Sequence, residues 1–265
     1  MNLRQLRNTY APFATKYNAL KLVNPVLGWC FTRGAVSRRL DVLMRRHAVE
    51  YLDLGGWAPV EGYVTIHLSP VEFYGLPSIP KSTMRQIFDE QAGRPAQKKR
   101  PLEAPAISLN FNILPSLPLV DGTIRGINLS HFLEHFDLGT GLDILRNCRR
   151  VLRPGGVLRV SCPDLRKYAL AYLAGDSDFY ARTGSLAYCN YRGLPTAGAV
   201  FAGKAYDGSN GHKWFYDAET VIVQLREAGF AQAEARNLHE SRLPRIKEIE
   251  PAYREIESFY VEAIL

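Results

Sequence analysis

The apolar positions of the chain change period several times, and the changes mark out elements. In "SRRLDVLMRRHAVEYL" Leu40, Leu43 and Met44 fall on one side and arginines on the other, which predicts helix up to about residue 47. Short apolar runs then predict buried strands at 49–54 and 63–68. Between 71 and 108 the pattern loosens: a short helix in "TMRQIFDEQAG" precedes "RPAQKKRPLEAPA", which reads as an inserted loop. Strand character returns at 123–130. "LGTGLDILRNCRRVLRPGG" places Leu142, Leu145, Cys148 and Leu152 on one helical face, with Pro154-Gly155-Gly156 as its stop. "VLRVSCP" (157–163) is the next strand, and a long polar and aromatic segment fills 164–211. A second helix is predicted over 217–230, from Asp217 to Gly229, and two strands near 232–238 and 257–264. No internal repeat is present.

Strand and helix alternate from 49 to 163, which predicts an α/β fold with a mainly parallel sheet and helices on both faces. The division that follows is a helical, basic N-terminal extension at 1–48 and one domain at 49–265. Within that domain, 71–108 is an insertion and 164–211 a cap.

Composition narrows the class. Of 265 residues, 46% are hydrophobic and 22% charged, as in ordered globular proteins. No apolar run reaches bilayer length, and "MNLRQLRNTYAPF" lacks the apolar core of a signal peptide, so a cytoplasmic location is expected. Cys30, Cys148, Cys162 and Cys189 show no CxxC and no zinc-ligand spacing. Free thiols are expected, and no metal is required. The net charge of +7 is concentrated at the start. Residues 1–50 hold nine Lys/Arg (Arg4, Arg7, Lys16, Lys21, Arg33, Arg38, Arg39, Arg45, Arg46) against Asp41 and Glu50, 9 − 2 = +7. Such a run suits a solvated helical face, peripheral contact with an anionic inner membrane, or a grip on a phosphate-bearing substrate. No nucleic-acid reader motif accompanies it.

Four blocks carry a resemblance: "LDLGG" after the first strand, "LSHFLEHF" after a middle strand, "CRRVLRPGGVLRVSCPDL", and "GHKWFYDAETVIVQLREAGF". In this order they resemble class I S-adenosylmethionine-dependent methyltransferases, and within these the predicted bacterial enzymes associated with surface-polysaccharide synthesis. The likeness spans roughly 49–265. It implies a Rossmann-like fold, S-adenosylmethionine as cofactor, and O-methylation of a free or lipid-linked saccharide. Carried over residue by residue, it implies cofactor contacts from Asp53, Gly55, Gly56, Trp57, His67, Asn112, Ser130 and His131, with Gly56 facing the cleft. It implies His131, His135 and His212 as candidate bases, with Asp164 orienting them. The chain departs from the family pattern at three of these places. Trp57 stands for a glycine, His67 for the carboxylate that grips the ribose, and Asn112 for an Asp at the adenine. These departures leave open a catalytically silent relative that binds a glycan or a partner enzyme.

Overall fold

The computed structural model describes residues 40, 42, 44–45, 49–56, 60–67, 106–108, 116–185, 196–205 and 212–265. Its strands are β1 (Tyr51–Leu54), β2 (Tyr63–His67), β3 (Ala106–Ser108), β4 (Ile124–Ser130), β5 (Leu152–Pro163), β6 (Gln232–Arg236) and β7 (Ser258–Ile264). Its helices are α1 (Leu138–Val151), α2 (Leu165–Ala174), α3 (Ser177–Arg182), α4 (Ala197–Ala205), α5 (Ala218–Glu227) and the short α6 (Ile246–Ile249). Short 3-10 turns lie at Leu133–His135 and Ala252–Ile256.

All seven strands form one sheet in the order β3-β2-β1-β4-β5-β7-β6. The first five are parallel, whereas β7 is antiparallel to both β5 and β6. The run β3-β2-β1-β4-β5 is the order of a doubly wound Rossmann sheet, whose direction of winding reverses between β1 and β4. The fold class is the Rossmann-like one expected. Tyr51 lies opposite Tyr63, so residues 55–62 alone connect two parallel strands. Such crossovers usually take a dozen residues or more.

The two faces of the sheet differ in kind. Leu52, Leu54, Val64, Ile66, Ile127, Leu129, Leu158, Val160, Val261 and Ala263 point to one side. There they pack with Ile144, Leu145, Cys148 and Val151 of α1 and with Val221 and Leu225 of α5. Their alternate neighbours Asp53, Thr65, Asn128, Arg159, Ser161, Ser258 and Glu262 are buried on the other side and are polar. That second face is closed partly by the segment around α6, where Leu243 and Ile246 pack on Val157 and Tyr51. Arg159, fully buried in mid-strand, is held there by a bidentate pair with Glu250 (2.8 and 2.9 Å) and by the carbonyls of Glu240 and Asn237. Each of its nitrogens is satisfied, which a buried guanidinium requires.

Two expected boundaries move. α1 ends at Val151, because Leu152 is already extended and opens β5 opposite Ile124. Pro154-Gly155-Gly156 therefore sits inside a bulged strand instead of ending a helix, at the register shift between Ile124 and Gly126. Ala106–Ser108, expected within an inserted loop, forms edge strand β3 beside β2. A run of three residues beside Pro105 is too short to stand out by periodicity. The rest of 71–108 and all of 1–48 except Leu40, Val42, Met44 and Arg45 lie outside the described residues, as do Trp57 and Asn112. Cys148 and Cys162 are free and buried, as expected; Cys30 and Cys189 lie outside the described residues. No helix among the described residues is long and apolar enough to cross a membrane.

Candidate functional site

The C-terminal ends of β1, β4 and β5 meet at the point where the winding of the sheet reverses, the place where open α/β sheets bind ligands. Gly55 turns out of β1 with φ +82°, and a Cβ there would stand 2.4 Å from the Ser130 carbonyl oxygen. Only glycine permits both the turn and this approach of one strand end to the other. Gly56 is different from expectation. A Cβ on it would meet the Asp53 carboxylate at 1.6 Å, so this residue faces a buried side chain and not an open cleft. Asp53 accepts a hydrogen bond from Asn128 Nδ2 (2.8 Å). Burial pushes Asp53 up to about 7, the Asn128 bond opposes this, and the charge of Glu250 adds to it. Of the expected cofactor contacts, Asp53, Gly55, Gly56, Ser130 and His131 thus gather at this edge. His67 ends β2, the neighbouring strand.

Beyond β4 the chain enters an unusual conformation. His131 has φ +47°, a left-handed backbone sparsely used by residues with a side chain. Its N–H donates to the Ser161 carbonyl (2.8 Å), continuing the β4–β5 ladder. The imidazole Nδ1 accepts from Arg254 (3.2 Å), which assigns the proton to Nε2, and Nε2 then donates to Ser258 Oγ (2.8 Å). Burial, then the Arg254 charge, holds His131 well below the usual histidine range. Neutral, buried and bonded at both nitrogens, His131 is fixed in place.

A charged cluster that sequence reading missed surrounds it. Glu257, buried just before β7, accepts from Tyr168 (2.9 Å), Lys204 (3.3 Å) and Arg254 (2.6 Å). Burial alone would raise Glu257, but Lys204 and Arg254 outweigh it and hold the carboxyl well below its ordinary range. Lys204 comes from α4, and Arg254 from the turn before β7. Neither stands in a recognisable motif.

Asp164, expected to orient a histidine, instead caps α2: its Oδ1 accepts from Arg166 N (2.9 Å). An extended Asp at a helix start finds the first free amides nearest to hand. His135 and His212 do come together, edge to face at 5.0 Å between ring centres. Backbone bonds from Lys213 N (2.8 Å) and Trp214 N (3.3 Å) to the Glu134 carbonyl pin the segment that follows His212 against the β4 exit. His212 Nδ1 faces the Lys204 carbonyl at 3.2 Å, so Nδ1 carries the proton and Nε2 keeps its lone pair. Burial, with His135 and Lys204, lowers His212 against the opposing pull of Glu134, which keeps it neutral.

The segment 164–211 supplies α2, α3 and α4 as a small second core after β5. Tyr168, Ala171, Tyr180, Val200 and Phe215 form its centre. Tyr168 and Tyr180 are packing residues here, whereas Tyr172 is about half exposed.

No protein-family model matches the sequence, and no curated protein matches it. Among solved structures the chain is similar to a SAM-dependent methyltransferase from Archaeoglobus fulgidus, with 13% identity and TM-score 0.43, covering 88% of this chain and 95% of that one. It is similar also to a SAM-dependent methyltransferase from Methanosarcina mazei (15%, TM-score 0.40, 84% and 96%). PigF with SAH shares 16% identity at TM-score 0.41, covering 81% of this chain and 50% of PigF.

Proposed function

We propose that the protein is an S-adenosylmethionine-dependent methyltransferase that O-methylates a sugar of a bacterial surface glycan or its precursor. The observation that carries the cofactor reading is the contact of Gly55 with Ser130, a glycine-only turn at the reversal of the sheet. The cofactor's amino-acid end would lie over this turn, near Asp53 and Ser130, and its sulfonium near the exit of β4. The cofactor supplies the methyl group; the chain's part is to align an acceptor oxygen with it and to exclude water.

A sugar hydroxyl is a weak nucleophile, and losing its proton during transfer helps. His135 and His212, adjacent and beside the β4 exit, fit that need better than His131, whose two nitrogens are already engaged. The region 164–211 would cover the acceptor, with exposed aromatic faces such as Tyr172 suited to a saccharide. A free or lipid-linked saccharide is the partner this reading calls for.

Calorimetric titration of the whole chain with S-adenosylhomocysteine tests the cofactor. One site per chain is expected, and absence of heat and of thermal stabilisation at millimolar ligand would favour the catalytically silent alternative. Transfer of labelled methyl from S-adenosylmethionine to a panel of nucleotide-linked and lipid-linked sugars tests the acceptor. Cofactor binding without label on any saccharide would remove the sugar from the reading.

A further inference from the structure

We propose that Glu134, His135 and His212 form a binding site for one divalent transition-metal ion. The three side chains each offer a ligand atom, and these atoms lie within 4.8 Å of one another. Ligand atoms at about 2.1 Å from one tetrahedral ion stand about 3.4 Å apart, so the three side chains close by up to about 1.4 Å at their widest pair, a shift within the reach of side-chain rotation.

The second observation is Glu134 itself. It is 1% exposed, and neither carboxylate oxygen has a hydrogen-bond partner among the described residues. A buried carboxylate left this way calls for a proton or a cation. The neighbouring groups do not meet that need: the buried Cys162 thiol beside the carboxylate is only a weak donor and carries no positive charge. His131 Nδ1 lies 3.5 Å from Oε1, but that nitrogen already accepts from Arg254 and has no proton to give. Arg254 and Lys204 are both engaged by Glu257.

His212 is arranged as ligating histidines usually are. Its Nδ1–H is taken by a backbone carbonyl, that of Lys204, which leaves Nε2 for the ion and sets the ring's orientation. The backbone bonds from Lys213 and Trp214 to the Glu134 carbonyl hold two of the three ligands in register. Two imidazoles and one carboxylate select zinc, manganese, iron or cobalt over magnesium or calcium, which prefer all-oxygen sites. Three protein ligands leave at least one position for water or a substrate oxygen. This deepens the proposed reading of the same site: an acceptor hydroxyl bound there would be acidified by the ion, with His135 and His212 acting as ligands and not as free bases.

The test is titration of the full chain, stripped with chelator, with Co2+, read by its visible absorption bands. One ion per chain is expected. Glu134→Gln, His135→Ala and His212→Ala should each weaken binding about tenfold or more, while His239→Ala, remote from the cluster, should leave it unchanged. Far-ultraviolet circular dichroism shows which variants fold. Absence of cobalt bands, together with no thermal shift by Co2+, Zn2+ or Mn2+, would overturn the site; so would equal affinity in the folded variants. A gain in stability of Glu134→Gln without metal binding would assign Glu134 as a buried neutral acid. A parallel titration with S-adenosylhomocysteine in the absence of metal separates the two proposals. Its failure strikes the methyltransferase reading alone, and failure of Co2+ binding strikes the metal alone.

Discussion

Asp53 makes the stability of the protein depend on pH in a direction opposite to that of most carboxylates. An ordinary Asp titrates near 3.8, and burial pushes this one up to about 7. The folded chain therefore holds a proton there that the unfolded chain has already released. The penalty is absent below the unfolded value, grows as pH rises, and is complete above about 7. At about 1.4 kcal/mol per tenfold, the interval from 3.8 to about 7 corresponds to about 4 kcal/mol. In Asp53→Asn the charge is gone, and the new Oδ1 can still accept from Asn128 Nδ2. The amide brings two N–H groups into the buried site, where Asn128 Oδ1 is a free acceptor for one and the other is left unmatched, at a cost of about 1–3 kcal/mol. The variant should be less stable than the natural chain near pH 4, where little of the penalty has developed, should match it at about pH 5, and should be more stable by about 1–3 kcal/mol near pH 8. Urea unfolding of both chains across this range measures the crossover, and taking the difference cancels groups common to the two. A difference that stays constant with pH would refute a buried Asp53 titrating near neutrality.

Gly55→Ala forces a side chain onto φ +82° and into the Ser130 carbonyl, and should lower stability by about 2–4 kcal/mol in urea titration; an unchanged midpoint would show that the two strand ends do not meet as described. Glu250→Gln leaves Arg159 buried without its counter-charge, and a loss of about 3–5 kcal/mol is expected, while the double replacement Arg159→Met with Glu250→Leu should recover most of it. Equal losses in the single and double variants would argue against the pair. The basic stretch 1–50 should bring the full chain down with anionic vesicles at low salt, each Lys or Arg adding about 1 kcal/mol near the surface, and added salt should release it. If the full chain sediments no more than a chain beginning at Val49, the run is a solvated face.

What could be read in the sequence follows from the sheet's two faces. Leu52, Leu54, Val64 and Ile66 alternate or cluster locally, so β1 and β2 emerge within two residues of their observed limits. The same holds for β4, β6 and β7, while α5 starts within one residue of its expected start and ends three residues short of 230, at Glu227. The opposite face obeys another rule. Arg159 in "VLRVSCP" looks like an exposed charge interrupting a strand, because its partner Glu250 comes from the segment after β6. Glu134 looks like a helix-start acid until His212 arrives from beyond α4. α2 is hidden for a related reason: Tyr168 packs its ring on Phe179 and Phe215 and bonds its hydroxyl to Glu257, contacts that no local period announces. Apolar contacts are nonspecific, and any residue of the right period serves, so local pattern suffices to announce them. Buried charges must be matched atom by atom across long intervals of chain, and no local pattern records the match. The residues with the most chemistry therefore carry the least local signal. Gly55 is legible from the turn that ends β1, Asp53 and His131 only through the resemblance, and Arg254, Glu257 and the Glu134–His212 convergence through neither.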